Sequence, residues 1–414
     1  MRAFKSILLV LGLAALIVVP IAAGIYIFTG FGKTTDSSAS GVSSTGAAVS
    51  ESSSADSSDG DSSSAAASKD SEAADSGTEA DSVTQLLSEM TLAEKVGQLF
   101  LARVPASDQI ETLQSYELGG YLLFGRDVEG ITAEELTAKI RSYREAAKYP
   151  LLIAADEEGG TVSRVSRNSQ LVYPPYPSPQ TLYETGGWQA VKEDTLTKAR
   201  QLKAFGIDTG LFPVADVATD PNAFIYDRTI GQDAEGTATY VTTVVQALRE
   251  AHSGSTMKHF PGYGNNADSH TAIVTDERPL SELQASDFKP FAAGIKAGAD
   301  SVLVSHNIVN AIDATKPASI SAPVHEVLRQ DLGFEGVIMT DDMDMAGLAD
   351  FISQEDAGLA ALQAGNDLIL SSTYAVQIPR IIAAVESGEY SEAQLDASVR
   401  RVLTWKKQLG LLAE

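Results

Sequence analysis

Eight short aliphatic runs recur between residues 97 and 372, each followed by polar or glycine residues and then by a longer segment with helical spacing. They read "GQLFLAR" (97–103), "GGYLLFGRD" (119–127), "LLIAADEEGG" (151–160), "TGLFPVADV" (209–217), "STMKHFPG" (255–262), "DSVLVSHN" (300–307), "GVIMTDDMD" (336–344) and "NDLILSS" (366–372). Segments such as "AEELTAKIRSYREAAK" (133–148) and "YVTTVVQALREAH" (240–252) lie between them, so the pattern predicts alternating β and α units. Alternation favours a parallel sheet, and eight units in this length predict an α/β fold of the (β/α)8 TIM-barrel type rather than a doubly wound sheet. A doubly wound nucleotide-binding sheet calls for a glycine-rich phosphate loop after its first strand, and neither G-x-G-x-x-G nor G-x-x-x-x-G-K occurs.

Barrel chemistry gathers where the strands end. Those ends carry Asp156, Asp216, Lys258, His259, His306, Asp341 and Asp342. A merely structural rim does not collect so many titratable side chains, so they read as a functional site. If the strand "GVIMTDDMD" continues through both of its adjacent acids, Asp341 and Asp342 point to opposite faces.

The N-terminus reads as an address. Arg2 and Lys5 precede an apolar stretch from Ile7 to Phe28, which at about 1.5 Å per helical residue spans a hydrocarbon core of about 30 Å. Residues 1–33 are therefore expected to be a transmembrane anchor, with a cleaved signal peptide as the alternative, and the rest of the chain on the extracellular side or secreted. Residues 34–82 are dominated by Ser, Ala, Asp, Glu and Gly and contain no aromatic residue. Too little apolar area is on offer there to offset the entropy of ordering, which predicts a disordered linker. Its acids supply a sizeable part of the formal net charge of -25, and that acidity argues against a nucleic-acid partner. With no cysteine there is neither a disulfide framework nor a thiolate nucleophile, so residues 83–414 must rely on their own core. The protein is expected to be a monomer.

Beyond these patterns, several separated motifs resemble glycoside hydrolase family 3, in its branch of single-domain β-N-acetylglucosaminidases. They are "MTLAEKVGQLF" (90–100), "DEEGGTVSRV" (156–165), "FPVADV" with "YDRTIG" (212–231), "KHFPGYG" with "DSH" (258–270), "SH" (305–306) and "GVIMTDDMDM" (336–345). The resemblance implies a β-N-acetylhexosaminidase that removes terminal β-linked N-acetylglucosamine, with peptidoglycan fragments as its glycan source. Retaining hydrolysis needs a carboxylate nucleophile and a proton donor on opposite sides of the anomeric carbon. The resemblance makes Asp341 the nucleophile, a choice over Asp342 that local reasoning does not make, and His270 paired with Asp268 the acid/base. An aspartate accepting from one imidazole nitrogen sets the tautomer and raises the proton affinity of the ring, leaving the other nitrogen to serve the glycosidic oxygen. The sugar ligands implied in the same way are Asp156, Arg228, Lys258 and His259, with His306 on the same rim. No metal or cofactor is implied.

The chain departs from the family's pattern where many relatives have a second histidine and an aspartate and this one has Tyr263 and Asn265, and the loop before "DSH" is one residue shorter. Glu157 stands where glutamine is common. Alternatives remain open: a metal-dependent hydrolase in which His259, His270, His306, Asp268 and Asp341 converge, although H-x-H and H-E-x-x-H spacings are missing, an inactive glycan-binding wall protein, or sugar transfer to phosphate.

Overall fold

The computed structural model describes residues 76–267 and 273–412. Eleven strands occur in it: β1 Phe100–Arg103, β2 Gly120–Leu123, β3 Leu152–Ala155, β4 Glu157–Gly159, β5 Val162–Ser163, β6 Thr256–Phe260, β7 Thr275–Asp276, β8 Ser301–Val304, β9 Ile308–Val309, β10 Val337–Thr340 and β11 Ile369–Ser371. Parallel pairing runs β11–β1–β2–β3 in one arc and β10–β8–β6 in the other.

Two joins close the arcs into a ring. Met339 bridges Leu368 on one side, and on the other Thr209 bridges both Ala154 and Gly254 while Val214 bridges Lys258. The fold is thus the eight-position α/β barrel that the alternating runs predict, with one of the eight expected strands altered. The stretch 209–217 occupies its place as isolated bridges rather than a regular strand. Pro213 has no N–H to donate and Leu211 sits at φ 47°, so the extended repeat is broken twice. The neighbours are still satisfied: Ala155 N–H donates to Thr209 O at 3.1 Å, and Lys258 N–H to Pro213 O at 3.2 Å.

Helices cover the outside, and their starts follow from local sequence. Thr132 and Glu135 form a reciprocal cap at the head of Ala133–Ala146, and the Asp233 carboxylate accepts from Gly236 N–H to open Ala234–Glu250. Every residue of β2, β3, β6, β8 and β10 is buried, as expected for parallel strands covered on both faces. Each apolar side chain so buried contributes roughly 1.5–3 kcal/mol.

The helix Ser76–Glu89 begins inside the stretch that composition assigns to the linker. Its Val83 and Leu87 join the core, which anchors this segment to the barrel. The expected anchor at 1–33 and most of the 34–82 linker lie outside the described residues, among which no helix is long and apolar enough to cross a membrane.

Candidate active site

At the C-terminal ends of the barrel strands lies a pocket of about 170 Å³ lined by Asp156, Arg164, Arg228, Lys258, His259, Asp341 and Asp342, with Phe124, Leu303, Met345 and Leu370 among its apolar walls. A larger cavity, about 640 Å³, opens at the opposite end beside Ser253, Asp300 and Gly336, which precede their strands. The smaller one is the candidate site, because only there do the strand-end side chains converge.

Three consecutive acids leave β3 and are sorted by strand alternation. Glu157 turns away from the pocket and accepts from the N–H groups of Arg164 (3.0 Å), Val165 (2.7 Å) and Ser166 (3.2 Å) and from the Ser166 hydroxyl. It thereby pins the β4–β5 hairpin, which turns tightly through Gly159 and Gly160, both at positive φ. Asp156 and Glu158 face the other way. Lys258 Nζ lies 2.9 Å from Asp156 Oδ1 and 2.6 Å from Glu158 Oε1, and Arg228 donates to both Glu158 oxygens at 2.8 and 3.0 Å. Burial opposes ionisation of Glu158, yet Arg228 and Lys258 hold its carboxyl far below the usual carboxylate range. The same balance lowers Asp156, beside Lys258 and Arg164, and raises Lys258, beside Asp156 and Glu158. All four groups are therefore charged across the neutral range.

His259 orders this cluster from behind. Its Nε2 lies 3.0 Å from Arg228 Nη2 and its Nδ1 2.8 Å from Asp216 Oδ2. A guanidinium only donates, so Nε2 accepts, and the ring proton sits on Nδ1 and is donated to Asp216. Asp216 also accepts from the N–H groups of His259 and Tyr263.

Across the pocket, β10 stops at Thr340, so the alternation expected for Asp341 and Asp342 does not apply and both carboxylates line the same pocket. Their surroundings distinguish them. Asp342 Oδ2 is taken by Arg103, whose Nε lies 2.5 Å away, and its Oδ1 accepts from Asp344 N–H at 3.0 Å. Burial raises the Asp342 carboxyl to about 6 despite that guanidinium. Asp341 Oδ1 accepts the Asp342 N–H at 2.8 Å, and its own N–H donates to Val304 O, fixing the side chain at the pocket floor.

His306 is fully buried and does not line the pocket. Its Nδ1 meets Ser319 Oγ at 2.7 Å and its Nε2 meets the Asp342 carbonyl at 3.0 Å, so it holds the peptide that carries the two acids. Of the other residues singled out by sequence, Asp156, Arg228, Lys258, His259 and Asp341 come together, whereas Asp268 and His270 lie outside the described residues.

Sequence reasoning passed over Glu158, Arg164, Arg103 and Phe124. The guanidinium carbons of Arg103 and Arg164 lie over the Phe124 ring, 4.9 and 5.4 Å from its centre, and together they form one wall of the pocket. Glu158 carried a signal, standing two residues after Asp156 on an alternating strand. Around the pocket four cations, Arg103, Arg164, Arg228 and Lys258, face four acids, Asp156, Glu158, Asp341 and Asp342, a local balance unlike the chain's overall acidity. Among the described residues no group of three or more histidines, aspartates and glutamates is placed to hold a metal ion. Such a surface suits a neutral polyhydroxylated ligand, which offers both donors and acceptors to fixed charges.

Comparison with known proteins points the same way. The model of the glycosyl hydrolase family 3 N terminal domain matches residues 91–405. A beta-hexosaminidase of Xanthomonas campestris pv. campestris is 37% identical over 322 residues, 75% of this chain and 92% of that protein. Beta-hexosaminidase LpqI of Mycobacterium tuberculosis is 32% identical over 326 residues, covering 76% of this chain and 82% of its own. Among solved structures, a glycoside hydrolase family 3 beta-N-acetylglucosaminidase from Paenibacillus superposes with a TM-score of 0.74 at 30% identity, over 78% of this chain and 64% of that longer one. The structure of LpqI superposes with a TM-score of 0.72 at 29% identity, covering 78% of this chain and 96% of its own.

Proposed function

The chain belongs to glycosyl hydrolase family 3, and from that premise we propose that it is a retaining β-N-acetylhexosaminidase acting on terminal β-linked N-acetylglucosamine. The observation that carries this reading is the pocket itself: a carboxylate, Asp341, shares about 170 Å³ with a pre-formed cluster of charged hydrogen-bonding groups. Asp156, Lys258, Arg228 and Arg164 bind the sugar hydroxyls and acetamide, each hydrogen bond to a charge contributing about 1.5–3 kcal/mol. Asp341 attacks the anomeric carbon as the bond to the leaving oxygen breaks, and His270, oriented by Asp268, gives that oxygen its proton. Neutral His270 then takes a proton from water as the water oxygen replaces Asp341 on the sugar. The Arg103 ion pair supports Asp341 over Asp342 as nucleophile, because a carboxylate already engaged by a guanidinium is the poorer attacker.

The test is turnover of aryl N-acetyl-β-glucosaminides by the whole protein. Asp341→Ala is expected to reduce kcat by several orders of magnitude, and a slow fluoro-sugar substrate to leave a covalent adduct on Asp341 in the unmodified protein. Binding without turnover, or turnover unchanged in the variant, refutes the mechanism. Peptidoglycan fragments are the proposed glycan and the outer face of the cell membrane the proposed location, supported by the apolar run Ile7–Phe28. Activity that washes freely from membranes, or no release of N-acetylglucosamine from wall fragments, counts against those two points.

A further inference from the structure

The helix Pro179–Phe205 packs behind the β4–β5 hairpin, and its buried stripe runs through Val191, Thr195, Lys198, Ala199, Leu202 and Phe205. Helical spacing thus sets a lysine among core positions, with its side chain only 3% exposed. A buried ammonium is costly unless it is paired, so its contacts define its task. Lys198 Nζ donates to the Glu158 carbonyl at 3.1 Å and lies 3.3 Å from Asp194 Oδ2. It also stands over the rings of Phe212 and Tyr176, 4.8 and 5.2 Å from their centres. Lys198 does not line the sugar pocket.

The carbonyl it takes belongs to an irregular residue. β4 and β5 pair with Glu157 opposite Ser163 and Gly159 opposite Val162, so Glu158 is an extra residue in its strand. Such a bulge re-aims the side chain it carries and leaves its own backbone out of the ladder. Here the side chain is aimed at Arg228 and Lys258, at 2.8 and 2.6 Å. Next to it Gly159 stands at φ 96°, where a Cβ would lie 2.2 Å from the Pro177 carbonyl oxygen and 3.4 Å from Lys198 Nζ. Gly160 N–H donates to the Tyr176 carbonyl at 3.0 Å, so the tyrosine whose ring faces the ammonium also holds the turn of the hairpin. The bulge is therefore gripped by one cation from the helix side and by two from the pocket side.

We propose that Lys198 is a positioning residue for sugar binding: by fixing the Glu158 peptide in the bulge, it sets the carboxylate that orients Arg228 and Lys258 toward the ligand. The inference rests on the reading of Arg228 and Lys258 as sugar ligands. Asp341 lies across the pocket beyond β10, so the effect falls on binding rather than on bond breaking.

The experiment measures the dissociation constant of N-acetylglucosamine by calorimetry on the full chain, together with kcat/KM on aryl N-acetyl-β-glucosaminides that release dinitrophenolate or phenolate. The native protein is compared with Lys198→Met, Glu158→Gln and the double variant. Lys198→Met should weaken binding about 10-fold, the worth of one hydrogen bond from a charged donor, and leave the ratio of kcat/KM between the two leaving groups within about 2-fold of native. Because the lysine acts through Glu158, it should add less than about 3-fold once Glu158→Gln is in place. Binding within about 3-fold of native in a folded Lys198→Met protein, a larger further loss in the double variant, or an altered leaving-group ratio each overturns the positioning role. If Glu158→Gln binds N-acetylglucosamine as the native protein does, or the native protein does not bind it, the assignment of the sugar ligands falls and the inference with it. Should Lys198→Met fail to fold, Lys198→Gln, a neutral side chain too short to reach the carbonyl, is read against the same outcomes.

Discussion

Replacing Glu158 by glutamine changes one oxygen to an amide nitrogen and removes a single charge from the centre of the sugar-binding cluster. In the native protein that carboxylate, with a side chain only 1% exposed, receives Arg228 at 2.8 and 3.0 Å and Lys258 at 2.6 Å. The amide group turns at least one N–H toward donors, and two buried cations lose their shared anion. Removing one partner of a buried ion pair costs about 3–5 kcal/mol. The lower half of that range applies, because Asp156 stays 2.9 Å from Lys258. Activity falls separately. If Arg228 and Lys258 each lose about 1.5 kcal/mol of their hydrogen bonding to the sugar, the combined loss of about 3 kcal/mol is roughly 10²-fold in kcat/KM. Urea unfolding at pH 7, read with kcat/KM on an aryl N-acetyl-β-glucosaminide, measures both. Glu157→Gln is the control: its oxygens meet backbone N–H groups and a serine hydroxyl rather than cations, so kcat/KM should stay within about 10-fold. A Glu158→Gln protein that loses less than about 1 kcal/mol and keeps its activity would refute the idea that these four charges act as one unit.

Two further outcomes concern pH. Lys148 is the chief reason that the Glu94 carboxyl is held at about 2 rather than 4.5, against the opposing effect of burial. A carboxyl whose pKa is lowered on folding contributes stability above pH 4.5 that is lost as the pH falls toward 2, so Lys148→Met should move acid unfolding, followed by circular dichroism, to higher pH, and an unmoved midpoint contradicts this. Lys406 is fully buried, donates to Gln98 Oε1 at 2.7 Å, and burial pushes its ammonium down to about 7. The unfolded chain binds the extra proton between pH 7 and 10.5, so stability should rise across that window and the rise should vanish in Lys406→Met; a denaturant midpoint with the same slope in both proteins rejects the assignment.

The barrel was legible because each buried parallel strand writes itself as an unbroken aliphatic run, a signal that needs no partner to be read. The stretch 209–217 shows the limit: its apolar content marks a ring position, while Pro213 and the backbone at Leu211 deny it regular strand geometry. In the site, Asp156, Lys258, His259 and Asp341 could be placed on one rim because strand ends share a face, whereas Arg228, on a turn at Tyr226–Arg228, came only from the family resemblance. The division of labour among them could not. Arg103 and Asp342 are 239 residues apart, and only closure of the ring brings them together. The alternation that would set Asp341 and Asp342 on opposite faces required the strand to run through both, and it ends at Thr340, before either. His306, counted as a rim residue, instead grips the carbonyl of Asp342, just beyond the paired acids.

Pairing of β11 with β1 leaves the ring without a seam, with Phe100 opposite Ile369 and Leu101 opposite Leu370. The helix Ser76–Glu89 meets the helix Glu392–Gln408 through Arg400 to Thr84 and Lys407 to Ser82, each at 2.7 Å. As a physical object the barrel is therefore cyclic, and its order of reading is a matter of where the chain is cut. A short tether between these two helices and a new opening in any loop beneath the strands would preserve every contact of the pocket, whereas a cut above them would sever it. The architecture thus separates a face free to be rewired from one that must be inherited whole.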